Sequence, residues 1–194
     1  MSKITRRFAA VGHREAISII AGLLLVVVPC VADMESTAVG PFIVSFDLGI
    51  PDMCLILPDG PTHGKNGTGW SYWDWEIAIV DVVEKAPYGR AFIKIRENHF
   101  PTAWDPASAI ETLNRTLDLP GCVAQNRTIT KIGDREVLTY IEPYLYTEIA
   151  PTRYGCMFIP EIQGTEVVVV TITSTFPWEA GTQNLFKSIK VERV

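Results

Sequence analysis

The strongest pattern in the chain is Val167–Val170, four β-branched residues in a row, continued by Thr171-Ile172-Thr173. Branching at Cβ favours a strand over a helix. A run with no polar face predicts a central strand covered on both sides. After it, Ser174 or Thr175 can cap a helix and Pro177 fits the first helical position. Trp178, Leu185, Phe186 and Ile189 then form a helix-like apolar stripe able to close over a sheet.

Upstream the pattern alternates. Phe42–Leu48 reads as a strand that Gly49-Ile-Pro-Asp turns back towards Cys54–Leu57, and Pro58–Ser71 reads as a glycine-rich loop. Tyr72–Val83 and Ala91–Arg96 follow as strands separated by Ala86-Pro-Tyr-Gly-Arg. Trp75, Ile77 and Ile79 share one face of the first, while Glu76, Ala78 and Val80 share the other. Asp105-Pro106 predicts a capped helix start, with Ala109, Ile110, Leu113 and Leu117 as its buried stripe and Pro120-Gly121 as its stop. Thr128–Ile132 with Arg135–Glu142, and Arg153–Pro160 with Glu166–Thr173, read as two hairpins. Strands, a helix, strands and a final helix predict an α+β domain with a mainly antiparallel sheet and packed helices.

The late hairpins, the valine-rich strand and the phrase Phe186-Lys-Ser-Ile-Lys-Val191 resemble the end of PsbP-like α/β/α sandwich domains. Those domains similarly close with a helix and a short strand. The resemblance covers about residues 40–193 in element order, and in sequence the final part alone. It implies a sandwich fold and an accessory, binding or assembly role without catalysis, by analogy of fold.

The N-terminus alters the domain count. Lys3, Arg6, Arg7 and Arg14 precede Ala16–Val28, thirteen uncharged and mostly aliphatic residues, then Pro29-Cys30-Val31-Ala32. This is the layout of an export signal, and it is short against the roughly 20 residues of a bilayer span. Residues 1–32 are therefore expected as a signal peptide or membrane anchor, 33–40 as a short spacer, and 41–194 as one extracytoplasmic domain. Cleavage after Ala32, lipid attachment at Cys30 and an uncleaved anchor are three open endings, so the mature protein is either secreted or membrane-anchored. Removing 1–32 takes four basic residues and one acid from totals of 17 and 22, leaving 13 and 21 and a net charge of −8. An acidic domain of this kind is a poor nucleic-acid partner. Asn66, Asn114 and Asn126 head Asn-x-Thr sequons, expected glycosylation sites in an exported chain.

Candidate chemistry is sparse. The stretch Gly60–Gly69 departs from a phosphate loop, because three residues rather than four precede Gly64-Lys65 and Asn66 follows the lysine. Cys122 and Cys156 can bridge, and Cys54 reads as a small buried hydrophobe. No C-x-x-C pair and no calcium loop points to a metal, so neither metal nor cofactor is expected. No catalytic motif occurs, and no catalytic residue is assigned. Trp70, Tyr72 and Trp73, with His63 in the adjoining loop, are the candidate binding residues, since aromatics beside a loop can stack on sugars or grip a peptide; alternation puts Trp73 on the face of Trp75 and Tyr72 on the other. The expected role is an exported, surface-associated, non-catalytic binding or assembly domain for a protein or glycan partner. The alternatives are a small extracytoplasmic hydrolase using His63 or His99, and a structural component of the cell envelope.

Overall fold

The computed structural model describes residues 34–49, 54–81, 89–119, 123–143 and 152–194. The chain divides into two units, Met1–Val31 and Ala32–Val194, and every described residue belongs to the second. The signal segment with Cys30, and Cys122, lie outside the described residues.

The strands are β1 (Glu35–Val39), β2 (Phe42–Phe46), β3 (Cys54–Lys65), β4 (Ser71–Asp81), β5 (Arg90–His99), β6 (Gln125–Ile132), β7 (Arg135–Pro143), β8 (Thr152–Gln163), β9 (Glu166–Ser174) and β10 (Lys190–Arg193). Among the described residues the α-helices are α1 (Ala109–Thr116) and α2 (Gln183–Ser188), the second entered through a π-helical turn at Trp178–Thr182. Seven strands form one sheet in the order β3-β4-β5-β9-β8-β7-β6, and a second sheet runs β1-β2-β10. Every pairing is antiparallel. The domain is α+β, as the alternation predicts.

The valine run is β9, and it sits in the middle of the large sheet. Val168 and Val170 pack on one side with Ile93, Ile95, Phe158 and Phe186. Val167 and Val169 pack on the other with Leu138, Tyr140, Met157 and the α1 residues Ile110, Leu113 and Leu117. Fully burying such a side chain stabilises by about 1.5–3 kcal/mol, so the four valines demand a cover on each face.

On the first face the cover is the small sheet with α2. Phe42, Val44 and Phe46 of β2, and Leu185, Phe186 and Ile189 around α2, are buried there. Two polar links fix this layer. Arg135 donates to the carbonyls of Ile189 (2.8 Å) and Phe186 (3.1 Å), satisfying acceptors that a helix end leaves open. Ser188 Oγ donates to the Asp47 carbonyl (3.1 Å) and accepts from the Asp47 amide (2.8 Å). On the second face α1 starts as read: Asp105 Oδ1 accepts from the Ala107 amide at 3.1 Å, with Pro106 opening a 3-10 turn ahead of the helix. The four expected stripe residues of this helix are buried.

Three stretches differ from expectation. The spacer 33–40 contains β1, because Gly40-Pro41 turns the chain and pairs Val39 with Phe42. β2 does not return to β3; it takes β1 and β10 as its neighbours in the small sheet. Much of the expected loop Pro58–Ser71 is strand, with β3 continuing to Lys65 across a register shift between Asp59 and Thr62. β3 is an edge strand, and an edge tolerates Pro58 and Pro61 because one side needs no donor. Ser174 caps no helix. It ends β9, and its hydroxyl accepts from the Phe176 amide (3.2 Å) and meets Thr182 Oγ1 (2.7 Å).

Cys156, expected as a possible partner of Cys122, carries a free thiol and is buried in the first-face core. Burial pushes it up to about 12, with nearby Arg135 pulling the other way. A thiol held neutral in the fold contributes stability that is whole below its unfolded value and is lost as pH rises through the folded value. Stability of the protein should therefore fall between about pH 9 and pH 11, with up to about 1.4 kcal/mol per pH unit belonging to this group. Urea unfolding across that range should show a smaller slope for Cys156→Ala than for the native chain. In the same assay Ile172→Ala, truncating a fully buried residue of β9, should cost about 2–5 kcal/mol, whereas Leu55→Ala at the exposed edge should stay within about 0.5 kcal/mol.

Candidate functional site

The two covers are unequal. Seven strands about 4.8 Å apart span roughly 29 Å, while a helix with its side chains is about 10–12 Å across. On the second face α1 packs over β7, β8 and the near side of β9, which leaves β5 and β4 open. The open floor and α1 enclose a cleft of ≈ 740 Å³, within the usual range for small-molecule sites.

Alternation along β5 puts Phe92, Lys94, Arg96 and Asn98 on that floor, beside Glu76 of β4 and Val169, Thr171 and Thr173 of β9. Thr112, Leu113 and Thr116 of α1 form one wall, and Arg153 of β8 also reaches the cleft. One end is aromatic. Trp70 and Phe100 lie nearly parallel with centroids 6.3 Å apart, and Phe100 and Trp104 at 4.8 Å.

The aromatic end is held by backbone bonds. The Phe100 amide donates to the Thr165 carbonyl (2.9 Å) and the Trp104 amide to the Gly164 carbonyl (3.2 Å), tying 100–104 to the β8–β9 turn. Trp70 is set by Asn66, whose Oδ1 accepts from the Thr68 amide (3.1 Å), the Thr68 hydroxyl (2.6 Å) and the Trp70 amide (3.2 Å). The Trp70 indole N–H donates to Asn98 Oδ1 at 3.3 Å.

The charges at the floor come as cross-strand pairs. Register places Asp74 opposite Arg96 and Glu76 opposite Lys94, and Glu142 opposite Arg153. Arg96 forms a fork on Asp74, with Nε–Oδ1 and Nη2–Oδ2 both 2.7 Å, and its guanidinium lies 4.1 Å from the centre of the Tyr72 ring. The hydrogen bonds that Arg96 donates to Asp74 hold its guanidinium above its ordinary value against the opposing effect of burial. Lys94 approaches Glu76 at 3.7 Å, and Arg153 Nε donates to Glu142 at 2.8 Å. Each cation at the floor thus has a carboxylate partner.

The candidate aromatic residues are divided by the sheet, with Trp73 and Tyr72 on opposite faces as alternation along the strand predicts. Trp70 lines the cleft, and Tyr72 flanks it through Trp70 (5.3 Å) and Arg96. Trp73, 39% exposed, shares the opposite face with Trp75, and the His63 ring lies against it, tilted by 40° with centroids 4.4 Å apart. His99 lies between Glu97 (3.2 Å) and Glu166 (3.6 Å). Asn66 and Asn126 are exposed, whereas Asn114 is half-buried on α1. Asp74 is buried in its pairing with Arg96.

No family model matches the chain, and no curated protein matches it. Among solved structures, the crystal structure of LpqN, involved in cell envelope biogenesis of Mycobacterium tuberculosis, aligns with 82% of this chain and 91% of that one, at 14% identity and a TM-score of 0.47. A likeness of that degree transfers no role. Among the described residues no helix is long and apolar enough to cross a membrane.

Sequence reasoning passed over Phe92, Arg96, Phe100, Trp104 and the threonines of α1. A faint signal existed in Phe100 and Trp104 immediately before a helix cap, since aromatics there must pack on whatever the helix leaves uncovered. The cross-strand pairs had no signal of their own, because they depend on the β4–β5 register. Arg96→Met should leave the Asp74 carboxylate, only 11% accessible, without its partner and cost about 3 kcal/mol. Urea unfolding of Arg96→Met, Asp74→Asn and the double variant checks this, and losses that simply add would show that the fork contributes nothing.

Proposed function

We propose that the protein is an exported, non-catalytic binding domain whose cleft between the sheet and α1 takes a neutral glycan. One observation carries the reading: an aromatic end built from Trp70, Phe100 and Trp104 joins a floor whose cations are each paired with a carboxylate. Paired charges offer little to a phosphate or a free carboxylate, yet they supply fixed donors and acceptors at close spacing. A sugar ring matches both halves of the site, because its C–H face packs on aromatic rings and its hydroxyls bond to planar polar groups and threonines.

Export rests on the basic start, the thirteen-residue apolar run and Pro29-Cys30-Val31-Ala32. It places residues 1–32 as signal or anchor and the remaining chain outside the cytoplasm. The envelope then supplies the ligand class. The resemblance of Phe186–Val191 to PsbP-like domains supports a role without catalysis. Phe186 and Ile189 pack in the core and Ser188 bonds Asp47.

Solubilised envelope polysaccharide from the producing cells, titrated against the purified protein, should quench tryptophan emission. Trp70→Ala and Trp104→Ala should each weaken binding by about 2 kcal/mol, roughly 30-fold, as for buried anchors. Trp73→Ala, on the other face, should bind as the native chain does. Absence of saccharide binding would defeat the proposal, as would equal affinity in all three variants.

A further inference from the structure

A second group of side chains lies on the opposite face of the large sheet from the cleft. Alternation along β5 sends Glu97 and His99 to the face that carries Ile93 and Ile95, and register sets Glu166 of β9 opposite His99. One donor atom from each of Glu97, His99 and Glu166 lies within 4.8 Å of the other two. Nearest approaches are 3.2 Å from His99 Nε2 to Glu97 and 3.6 Å from His99 Nδ1 to Glu166. Donors at about 2.0–2.2 Å from a tetrahedral zinc lie roughly 3.3–3.5 Å from one another; one ion takes a single nitrogen of the His99 ring, so the set closes from within 4.8 Å to that spacing when the exposed Glu166 side chain swings to the nitrogen that Glu97 faces.

The local charge points the same way. Arg193 of β10 is shared, at 3.2 Å, between Glu97 and Glu161, so one guanidinium answers two carboxylates. Glu166, among the described residues, is paired with the His99 ring. Three carboxylates around one arginine and one imidazole leave an excess of negative charge beside a nitrogen donor. We propose that Glu97, His99 and Glu166 bind a divalent transition cation of the zinc class, with water completing its coordination. An imidazole with two carboxylates suits zinc or its neighbours better than calcium or magnesium, which take oxygen alone. Glu97 is held by Arg193 and is 12% accessible, whereas Glu166 is 46% accessible and has the room to swing onto the ion. An ion here would join β5 to β9 at the end of the sheet where Arg193 brings in β10.

The test uses untagged protein, as purified from the cells that make it, with zinc chloride and then cobalt chloride. Calorimetry should give one zinc per chain, and cobalt should bring visible absorption bands expected of nitrogen and oxygen ligation. His99→Ala and Glu166→Gln should each weaken zinc by at least about tenfold and remove the rise in melting temperature that zinc causes. His63→Ala should match the native protein in both readings. Glu166 is exposed enough that its variant should fold even if a change at Glu97 does not. Failure to bind zinc or cobalt would reduce the cluster to an ion-pair network and overturn the proposal. Zinc affinity unchanged in both His99→Ala and Glu166→Gln would overturn it equally, by placing the metal elsewhere.

Discussion

Burial of β9 on both faces is the constraint from which the rest of the domain follows. A strand of consecutive valines in the centre of a seven-stranded sheet exposes apolar surface in both directions, and neither direction can be left to water. One side receives a second sheet and α2, held by Arg135 and by the Ser188–Asp47 bonds. The other receives α1 and the aromatic segment after β5. A two-turn helix cannot cover a sheet of this width, so the second cover is incomplete. The cleft is what remains.

Partial cover imposes its own requirement on the exposed floor. An open apolar floor would invite association, and unpaired charges half-buried in the cleft beside α1 would be costly. The floor instead carries opposite charges directly across the strands, at Asp74–Arg96 and Glu76–Lys94. The Asp74–Arg96 fork is the more buried of the two, and a bidentate pair fixes direction as well as charge. Exposed Lys94–Glu76 adds little stability. Its consequence is a floor whose cations are answered locally. The same alternation that brings Arg96 to the cleft sends Glu97 and His99 to the other side, so one strand serves two chemically different surfaces.

Legibility in the sequence was uneven, and the reasons are physical. Local signals survived folding: the branched run of β9, the Asp105 cap, and the stripe Ala109, Ile110, Leu113 and Leu117 all act through neighbours a few residues away. The Pro58–Lys65 part of β3 reads as a loop in sequence because its prolines and glycines carry turn propensities, which an edge position tolerates. Ser174 was read as a cap because its side chain can serve one. The buried Thr182 hydroxyl gave it another partner. β1 was read as spacer because five residues with little apolar content become a strand through pairing with β2.

Sequence alone determined the α+β class, the strand and helix character of the strongly patterned segments and the demand that β9 be covered twice, since propensity and hydrophobic period are properties of short segments. Tertiary structure decided which faces became sites. Alternation parts Trp73 from the cleft residues, but the incomplete cover by α1 is what makes the Trp70 side a cleft, and Glu166 meets His99 across β5 and β9, far apart in the chain. Those neighbours are set by register and strand order. Register depends on the summed packing of whole strands, and no local window of residues contains that sum.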